Sequence, residues 1–280
     1  MSVPDKLKRS VKVFRDHEPH PTQRLTTAGI LAVSSNTGSI KIGEMISNDK
    51  LYEYLTKFGI GSKTGSGLPG ESRGILPKVA DWSGTTAPTV AFGQGYSVTA
   101  MQATSVFATI ANNGVRVSPT VIAGTSDSSG NYTPSATRES VRVISPETAA
   151  QMRLMMESVV SVNGTAPSAA IPGYRVAGKT GTAQRIDDTC GCYRGYTASF
   201  IGFAPADKPA YVISVTIQDP KGMHWGGYLG GPVFKKVMSF VLESKHIPPT
   251  GTKIVPVALT EKALNKTKES ATTNSASGDL

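Results

Sequence analysis

Four consecutive residues, Lys179-Thr180-Gly181-Thr182 in the run RVAGKTGTAQR, are suited to gripping a carboxylate. Tyr174 and Val176 lead into them and a further β-rich segment follows, so the run reads as a strand. Strand side chains alternate, which puts the hydroxyls of Thr180 and Thr182 on one face, with Gly181 leaving the other approach bare. The Lys179 ammonium supplies charge, and together these groups can hold a carboxylate by charge-assisted hydrogen bonds. A backbone N–H on an edge strand can also point at a developing oxyanion. The tripeptide recurs at Lys63-Thr64-Gly65, inside the Gly/Pro-rich stretch GIGSKTGSGLPGESRGILP, where no strand is plausible. That copy is assigned to loop geometry.

A second polar set is Ser34-Ser35-Asn36, which interrupts an apolar helical run. Ser34 and Asn36, two apart at a helix break, can aim a hydroxyl and an amide into one cleft. They can equally be caps, since Ser and Asn favour helix ends. Ser161-Val162-Asn163 fits the same S-x-N pattern, but a helix C-terminus and Gly164 explain it. The two cysteines, Cys190 and Cys192, read as thiols or a disulfide. A zinc site needs about four ligands, and no such set stands near them, so no metal is expected. Nothing in the sequence calls for a cofactor.

The elements that would carry these groups follow from periodicity. TQRLTTAGILAVSSNTGSIKIGEMI reads as helix, break, helix, with Thr22 as first cap and Leu25, Ala28, Ile30 and Leu31 on a face. Asp49 is the expected cap of KLYEYLTKFGI, where Leu51, Tyr54, Leu55 and Phe58 share a stripe. Ser97 is the expected cap of SVTAMQATSVFATIANNG, with Ala103, Val106, Phe107 and Ile110 inward and Gly114 ending it. Ser145, Pro146 and Glu147 open a helix whose buried face is Met152, Met155, Met156 and Val159. The pattern then alternates at Tyr211, Ile213, Val215 and Ile217, as in a half-buried antiparallel strand. A closing helix, GPVFKKVMSFVLES, is expected to bury Val233, Val237, Phe240 and Val241. Near the N-terminus KRSVKVFRD reads as one short strand followed by a loop. The sum is an α+β fold: helices, then an antiparallel sheet with a covering helix. One domain is expected over residues 1–248 and a flexible polar tail over 249–280.

Bulk properties fit this picture. The 280 residues are 39% hydrophobic and 18% charged, enough for a real core. The net charge of +9 favours anionic partners, such as an envelope surface or a carboxylate substrate. No long basic cluster with interleaved aromatics occurs, which argues against nucleic acid. No apolar run approaches the roughly 20 residues of a membrane helix, and the basic N-terminus lacks a signal-peptide core.

S-x-N followed much later by K-T-G-T on a strand resembles the second and third motifs of the penicillin-recognising serine acyltransferases. AGILAVSSNTG, YEYLTKFGIGSKTGSGLPGES, WSGTTAPTVAFGQGYSVTAMQ, IANNGVRVSP, IPGYRVAGKTGTAQ, ASFIGFAPADKP and GGPVFKKVM extend the likeness. Over about residues 1–250 the chain resembles the transpeptidase domain of class B penicillin-binding proteins of the cell-division, FtsI-like type. The resemblance implies the penicillin-binding transpeptidase and serine β-lactamase-like fold. It implies that Ser34 relays a proton, Asn36 binds a peptide carbonyl, and Lys179, Thr180, Gly181 and Thr182 hold a terminal carboxylate. The Thr182 N–H would be half of an oxyanion hole. The implied ligands are peptidoglycan stem peptides and β-lactams. The implied partners are cell-division membrane proteins, with the catalytic domain anchored outside the cytoplasmic membrane. D,D-carboxypeptidases, β-lactamases and non-catalytic peptidoglycan-binding modules share the motif pair. The Gly-rich insertions and FGQGYSVTAMQ favour the transpeptidase. The family's first motif, S-x-x-K, has no counterpart upstream of Ser34. The one S-x-x-K string, Ser47 to Lys50, follows S-x-N in the wrong order. The sequence reads as a part of such a domain without its nucleophile, expected to be inactive alone.

Overall fold

The structure, a computed structural model, describes residues 1–136, 138–187 and 189–276, with side chains as far as Glu269. At the N-terminus β1 (Ser2–Val3) pairs with β4 (Gln23–Arg24), and between them β2 (Lys6–Arg9) and β3 (Lys12–Arg15) form a hairpin. One strand is expected there and four occur. Because Gln23 and Arg24 are drawn into pairing with β1, the first helix cannot start at Thr22. It is α1 (Thr27–Ala32), with Thr26 as its cap accepting from the Gly29 N–H. After the break come α2 (Asn36–Gly43) and α3 (Asn48–Lys57). Ser47, in extended conformation, caps α3 rather than Asp49, which sits in the first turn beside the positive end of the helix.

The short α4 (Thr86–Ala91) precedes α5 (Ala100–Ala111). The cap of α5 is Thr99, not Ser97, because Thr99 and Gln102 form a reciprocal capping box. Gln102 is fully buried, and its amide also donates to the carbonyls of Ser62 at 2.7 Å and Arg73 at 2.9 Å. One side chain thus ties the Gly-rich loop to a helix start. Two small antiparallel pairs follow, β5 (Val115–Val117) with β8 (Ser140–Arg142) and β6 (Gly124–Ser126) with β7 (Tyr132–Pro134). Then α6 (Pro146–Val160) begins at the expected Ser145 cap.

The main sheet is antiparallel in the order β11-β10-β9, built from β9 (Ala177–Asp187), β10 (Cys192–Ala204) and β11 (Tyr211–Gln218). Phe200 of β10 packs on one face with Phe234, Met238 and Leu242 of α7 (Gly226–Ser244). Phe203 packs on the other face with Ile110 of α5 and Met156 of α6. The α+β architecture is therefore as expected, but the face of α7 is not. Val233, Val237 and Phe240 are exposed, Val241 is half-buried, and Phe234, Met238 and Leu242 are buried. Close approach decides this. A Cβ at Gly230 would meet the Phe200 backbone N at 3.0 Å and its Cβ at 2.9 Å, so only the glycine-bearing face of α7 can lie on β10. Steps of four residues, about one turn each, then bring positions 234, 238 and 242 inward after it.

Over 249–280 the composition suggests a flexible polar tail, yet parts of this segment are bonded to the body. The Thr250 N–H donates to Gly173 O at 2.8 Å, and the Thr26 N–H donates to Leu259 O at 3.0 Å. A final helix, α8 (Glu261–Ala276), follows, and residues 277–280 of the expected tail lie outside the described residues. Among the described residues no helix is long and apolar enough to cross a membrane.

Candidate active site

The break between α1 and α2 turns on one residue. Ser34 has φ of 55°, a left-handed conformation that stops α1 and swings the chain into α2. Ser35 caps α2, its hydroxyl accepting from the Gly38 N–H at 2.9 Å. That hydroxyl also donates to Asp16 Oδ2 at 2.6 Å. Asp16 Oδ1 accepts the Thr37 N–H at 2.8 Å, and the Asp16 side chain is only 5% exposed. Asn36 donates through Nδ2 to Arg15 O at 2.9 Å. The Ser-Ser-Asn break is therefore clamped to the end of β3. Asp16 was not legible as its anchor, because it lies 19 residues away from Ser35 and no motif marks it.

On the opposite wall, β9 is a sheet edge. Lys179 pairs across with Ile201, Thr180 with Phe200 and Thr182 with Ala198. The two threonines share a face, as alternation requires. On that face Thr180 Oγ1 lies 2.8 Å from Thr165 Oγ1, and Thr182 Oγ1 accepts the Gly226 N–H at 3.2 Å. Gly226 and Gly227 let the start of α7 lie against the strand. A Cβ on Gly227 would meet Thr180 Cγ2 at 3.0 Å and the Thr165 carbonyl more closely still. The N-cap residue Trp225 gives no side-chain cap, so Thr182 takes over part of that role from another element. Gly181 faces Ser199 across the pair, where a side chain would collide.

Lys179 leaves the strand on the opposite face and bends round its edge. Its Nζ donates to Ser34 Oγ at 2.6 Å, to Thr180 O at 3.0 Å and to Thr180 Oγ1 at 3.3 Å. Residues 145 apart in sequence thereby meet. Burial at the cleft floor pushes the Lys179 ammonium down to about 8. No carboxylate pairs with it among the described residues. The positive end of α7, Lys179 and the hydroxyls of Thr180 and Thr182 thus converge on one place fit for an anion.

These groups line a cleft of about 830 Å³ that contains Ser34, Asn36, Lys179, Thr180, Gly181 and Thr182 together. Two of its lining residues, His17 and Trp225, meet edge-on at 5.5 Å, and His224, next to Trp225 in the chain, stacks on Tyr196 at 4.1 Å. Beyond it, at the turn joining β9 to β10, Cys190 and Cys192 form a disulfide. Among the described residues no cluster of three or more His, Cys, Asp or Glu could hold a metal ion.

The other motif copies have local roles. In the loop copy, the Thr64 N–H donates to Glu71 Oε1 at 2.7 Å and the Gly65 N–H to Glu71 Oε2 at 3.1 Å. The Thr64 hydroxyl donates to the same carboxylate. Ser47 of the S-x-x-K string accepts the Lys50 N–H, and Lys50 Nζ lies 3.0 Å from Glu53. Ser161 ends α6.

Residues 2–239 match the family model described as the penicillin binding protein transpeptidase domain. The penicillin-binding protein PbpB of Mycolicibacterium smegmatis is 40% identical over 258 residues, covering 89% of this chain and 40% of that protein. The peptidoglycan D,D-transpeptidase FtsI of Escherichia coli is 35% identical over 232 residues, covering 80% of this chain and 37% of that protein. The chain thus spans about 40% of the length of these curated relatives. Among solved structures, penicillin-binding protein 3 of Mycobacterium tuberculosis in complex with ampicillin superposes with a TM-score of 0.88 at 36% identity, over 93% of this chain and 60% of that one. By sequence and by fold, the chain belongs to the penicillin-binding protein transpeptidase domain family.

Proposed function

We propose that the cleft binds the D-Ala-D-Ala end of a peptidoglycan stem peptide, or a β-lactam in its place. Lys179, Thr180 and Thr182 hold the terminal carboxylate. The observation that carries this reading is the 2.6 Å bond from Lys179 Nζ to Ser34 Oγ, which joins the two motif walls at the cleft floor. In transpeptidation a serine Oγ attacks the penultimate D-Ala carbonyl, and the C–N bond to the terminal D-Ala breaks. Ser34 delivers the proton to that leaving amine, with Lys179 as its immediate proton source. The second N–H and the carbonyl of the Asn36 amide hold the substrate's peptide group. An amine from a neighbouring strand then attacks the acyl carbon and releases the serine, completing two-step nucleophilic catalysis. The Thr182 N–H supports the oxyanion in each step. The setting is the outer side of the cytoplasmic membrane, among cell-division proteins.

The attacking serine belongs to an S-x-x-K motif, and no such string precedes Ser34 in these 280 residues. Ser47 and Lys50 are committed to helix α3. We therefore expect the 280 residues by themselves to bind the ligand without acylation. Incubation with benzylpenicillin followed by intact-mass measurement checks the second part, and a penicilloyl adduct mapped to any serine here would overturn it. Calorimetric titration with a D-Ala-D-Ala peptide checks the first. Saturable binding that Lys179→Met weakens about tenfold to hundredfold is the expected result; no binding would refute the carboxylate site.

A further inference from the structure

Two elements must meet for Lys179 to reach Ser34: β9, which carries the lysine, and α1, which leads to the serine. One segment, residues 250–261, touches the root of both. At the foot of β9 the Thr250 N–H donates to Gly173 O at 2.8 Å, and Thr250 Oγ1 accepts the Arg175 N–H at 3.2 Å. Arg175 NH1 donates to Thr252 Oγ1 at 3.0 Å, and that hydroxyl donates to Asp207 Oδ2 at 2.8 Å. At the start of α1 the Thr26 hydroxyl donates to Ala258 O at 2.6 Å, and the Thr26 N–H donates to Leu259 O at 3.0 Å. Leu25 forms a β-bridge with Thr260, and Arg24 NH1 lies 3.2 Å from Glu261 Oε2. Gly29 lets the segment lie on the first turn of α1, since a Cβ there would collide with the Leu259 carbonyl.

Packing does not explain the stretch between these anchors. Lys253, Ile254, Val255 and Pro256 are exposed and belong to no helix or strand. From Thr252 to Ala258 the chain can reach no farther than about 21 Å. Pro256 fixes its own φ and keeps Val255 near extended backbone, which removes slack. A short, stiff connector bonded at both ends limits how far the two roots can part. Those roots are close to the site in sequence: Arg175 lies four residues before Lys179, and Thr26 eight before Ser34.

We infer that residues 250–261 are a positioning strap, which holds the foot of β9 to the start of α1 and so sets the Lys179–Ser34 contact. Thr252 is its anchor on the β9 side. No residue of the strap is among those lining the cleft, so it acts through Arg175 and Thr26. With the strap in place Lys179 stays packed at the cleft floor, where burial holds its ammonium down to about 8. With the strap released the walls part, water reaches the ammonium, and its pKa returns toward 10.5. The titratable groups that line the cleft with Lys179 are His17, Glu18, Tyr96 and Tyr228, and none of them is on the strap.

The test follows Lys179 by NMR in the full chain labelled at lysine Cε, with Lys179→Met assigning its signal. It needs no ligand, so it is separate from the carboxylate reading. Thr252→Val removes the anchoring hydroxyl and Thr252→Ser keeps it; neither changes a charge. In Thr252→Val, Lys179 should hold its proton about threefold or more tightly, its midpoint rising from about 8. Thr252→Ser should titrate as the wild type does. A further chain carries a specific protease site between Ile254 and Val255 and is read before and after cutting, which should raise the midpoint more. A segment that only added stability would lower the melting temperature of Thr252→Val and leave the midpoint where it was. An unmoved midpoint in Thr252→Val or in the folded cut chain would overturn the inference, as would equal shifts in Thr252→Val and Thr252→Ser. If cutting unfolds the chain, the Thr252 pair decides alone. A wild-type midpoint near 10.5 would also overturn it, because Lys179 would then not be held at the floor.

Discussion

The chain carries the tripeptide Lys-Thr-Gly twice, and both copies are arranged around a carboxylate in different ways. At Lys63 the copy sits in a loop where Gly65 has φ of 72°, so successive backbone N–H groups turn toward one point. The carboxylate there is the chain's own Glu71, held by the N–H groups of Thr64 and Gly65. At Lys179 the copy sits on an edge strand, where one row of backbone groups goes to β10, the other row is left facing outward, and side chains do the gripping. That copy faces open cleft, with Lys179 bonded to Ser34 and Thr182 to the start of α7. The same three residues thus make a closed structural knot in one backbone conformation and an open receptor in another. What separates them is the supporting structure, and that can be broken at either copy.

The largest effect should come from the foundation of the strand copy. Arg175, just before β9, donates from Nε to Glu157 Oε2 at 2.9 Å and from NH2 to Oε1 at 2.6 Å. Both side chains are buried, and Arg175 also reaches Thr252. Removing one member leaves the other charge buried without its ion-pair partner. Glu157→Ala should therefore cost about 3–5 kcal/mol in urea unfolding. A cost under about 1 kcal/mol would mean that β9 is positioned by sheet pairing alone.

Next comes function at equal chemistry. Lys179→Met should weaken a D-Ala-D-Ala peptide about tenfold to hundredfold, the range for a hydrogen bond to a charged group. Lys63→Met should leave affinity unchanged, because that loop's carboxylate is internal. Comparable losses in both variants would erase the distinction between receptor and knot.

That distinction was partly legible in sequence. β-favouring neighbours around Lys179 and glycines around Lys63 separate the copies, and the apolar run broken at Ser34 shows where a polar pair could enter a cleft. The α7 face was misread because hydrophobic period alone selected Val233, Val237 and Phe240, while the close approach of Gly230 to Phe200 decided the matter. The Thr99–Gln102 box was present in the letters and passed over for Ser97. Thr165 and Asp16 had no local signature. Each acts through a contact made only when distant segments meet, Thr165 with Thr180 and Asp16 with Ser35.

A pH series sharpens the strand copy further. The Lys179 ammonium is pushed from its ordinary 10.5 down to about 8 by burial. A bound carboxylate favours the charged form, so affinity should be level below pH 8 and fall as pH rises above it, by up to tenfold per unit. The effect on stability has the opposite direction. Between pH 8 and 10.5 the unfolded chain binds this proton more than the folded one does, so this group makes stability rise with pH across that window. Lys179→Met should remove both features, and a variant that kept the affinity change would assign it to another group.

The smallest effect belongs to the knot. The Thr64 hydroxyl, with the N–H groups of Thr64, Gly65 and Ser66, holds the Glu71 carboxyl below its usual range. A carboxyl depressed on folding stabilises above its unfolded pKa, and that contribution fades as pH falls through the folded value. Glu71→Gln keeps an acceptor oxygen but loses the charge. It should lower the melting temperature slightly near neutral pH, much less than Glu157→Ala does, and the deficit should shrink in acid as the wild-type carboxyl protonates. Peptide affinity at the cleft should be untouched. If Glu71→Gln instead altered that affinity, the loop copy would be coupled to the cleft, through the Gln102 amide that bonds the Ser62 and Arg73 carbonyls on either side of the knot.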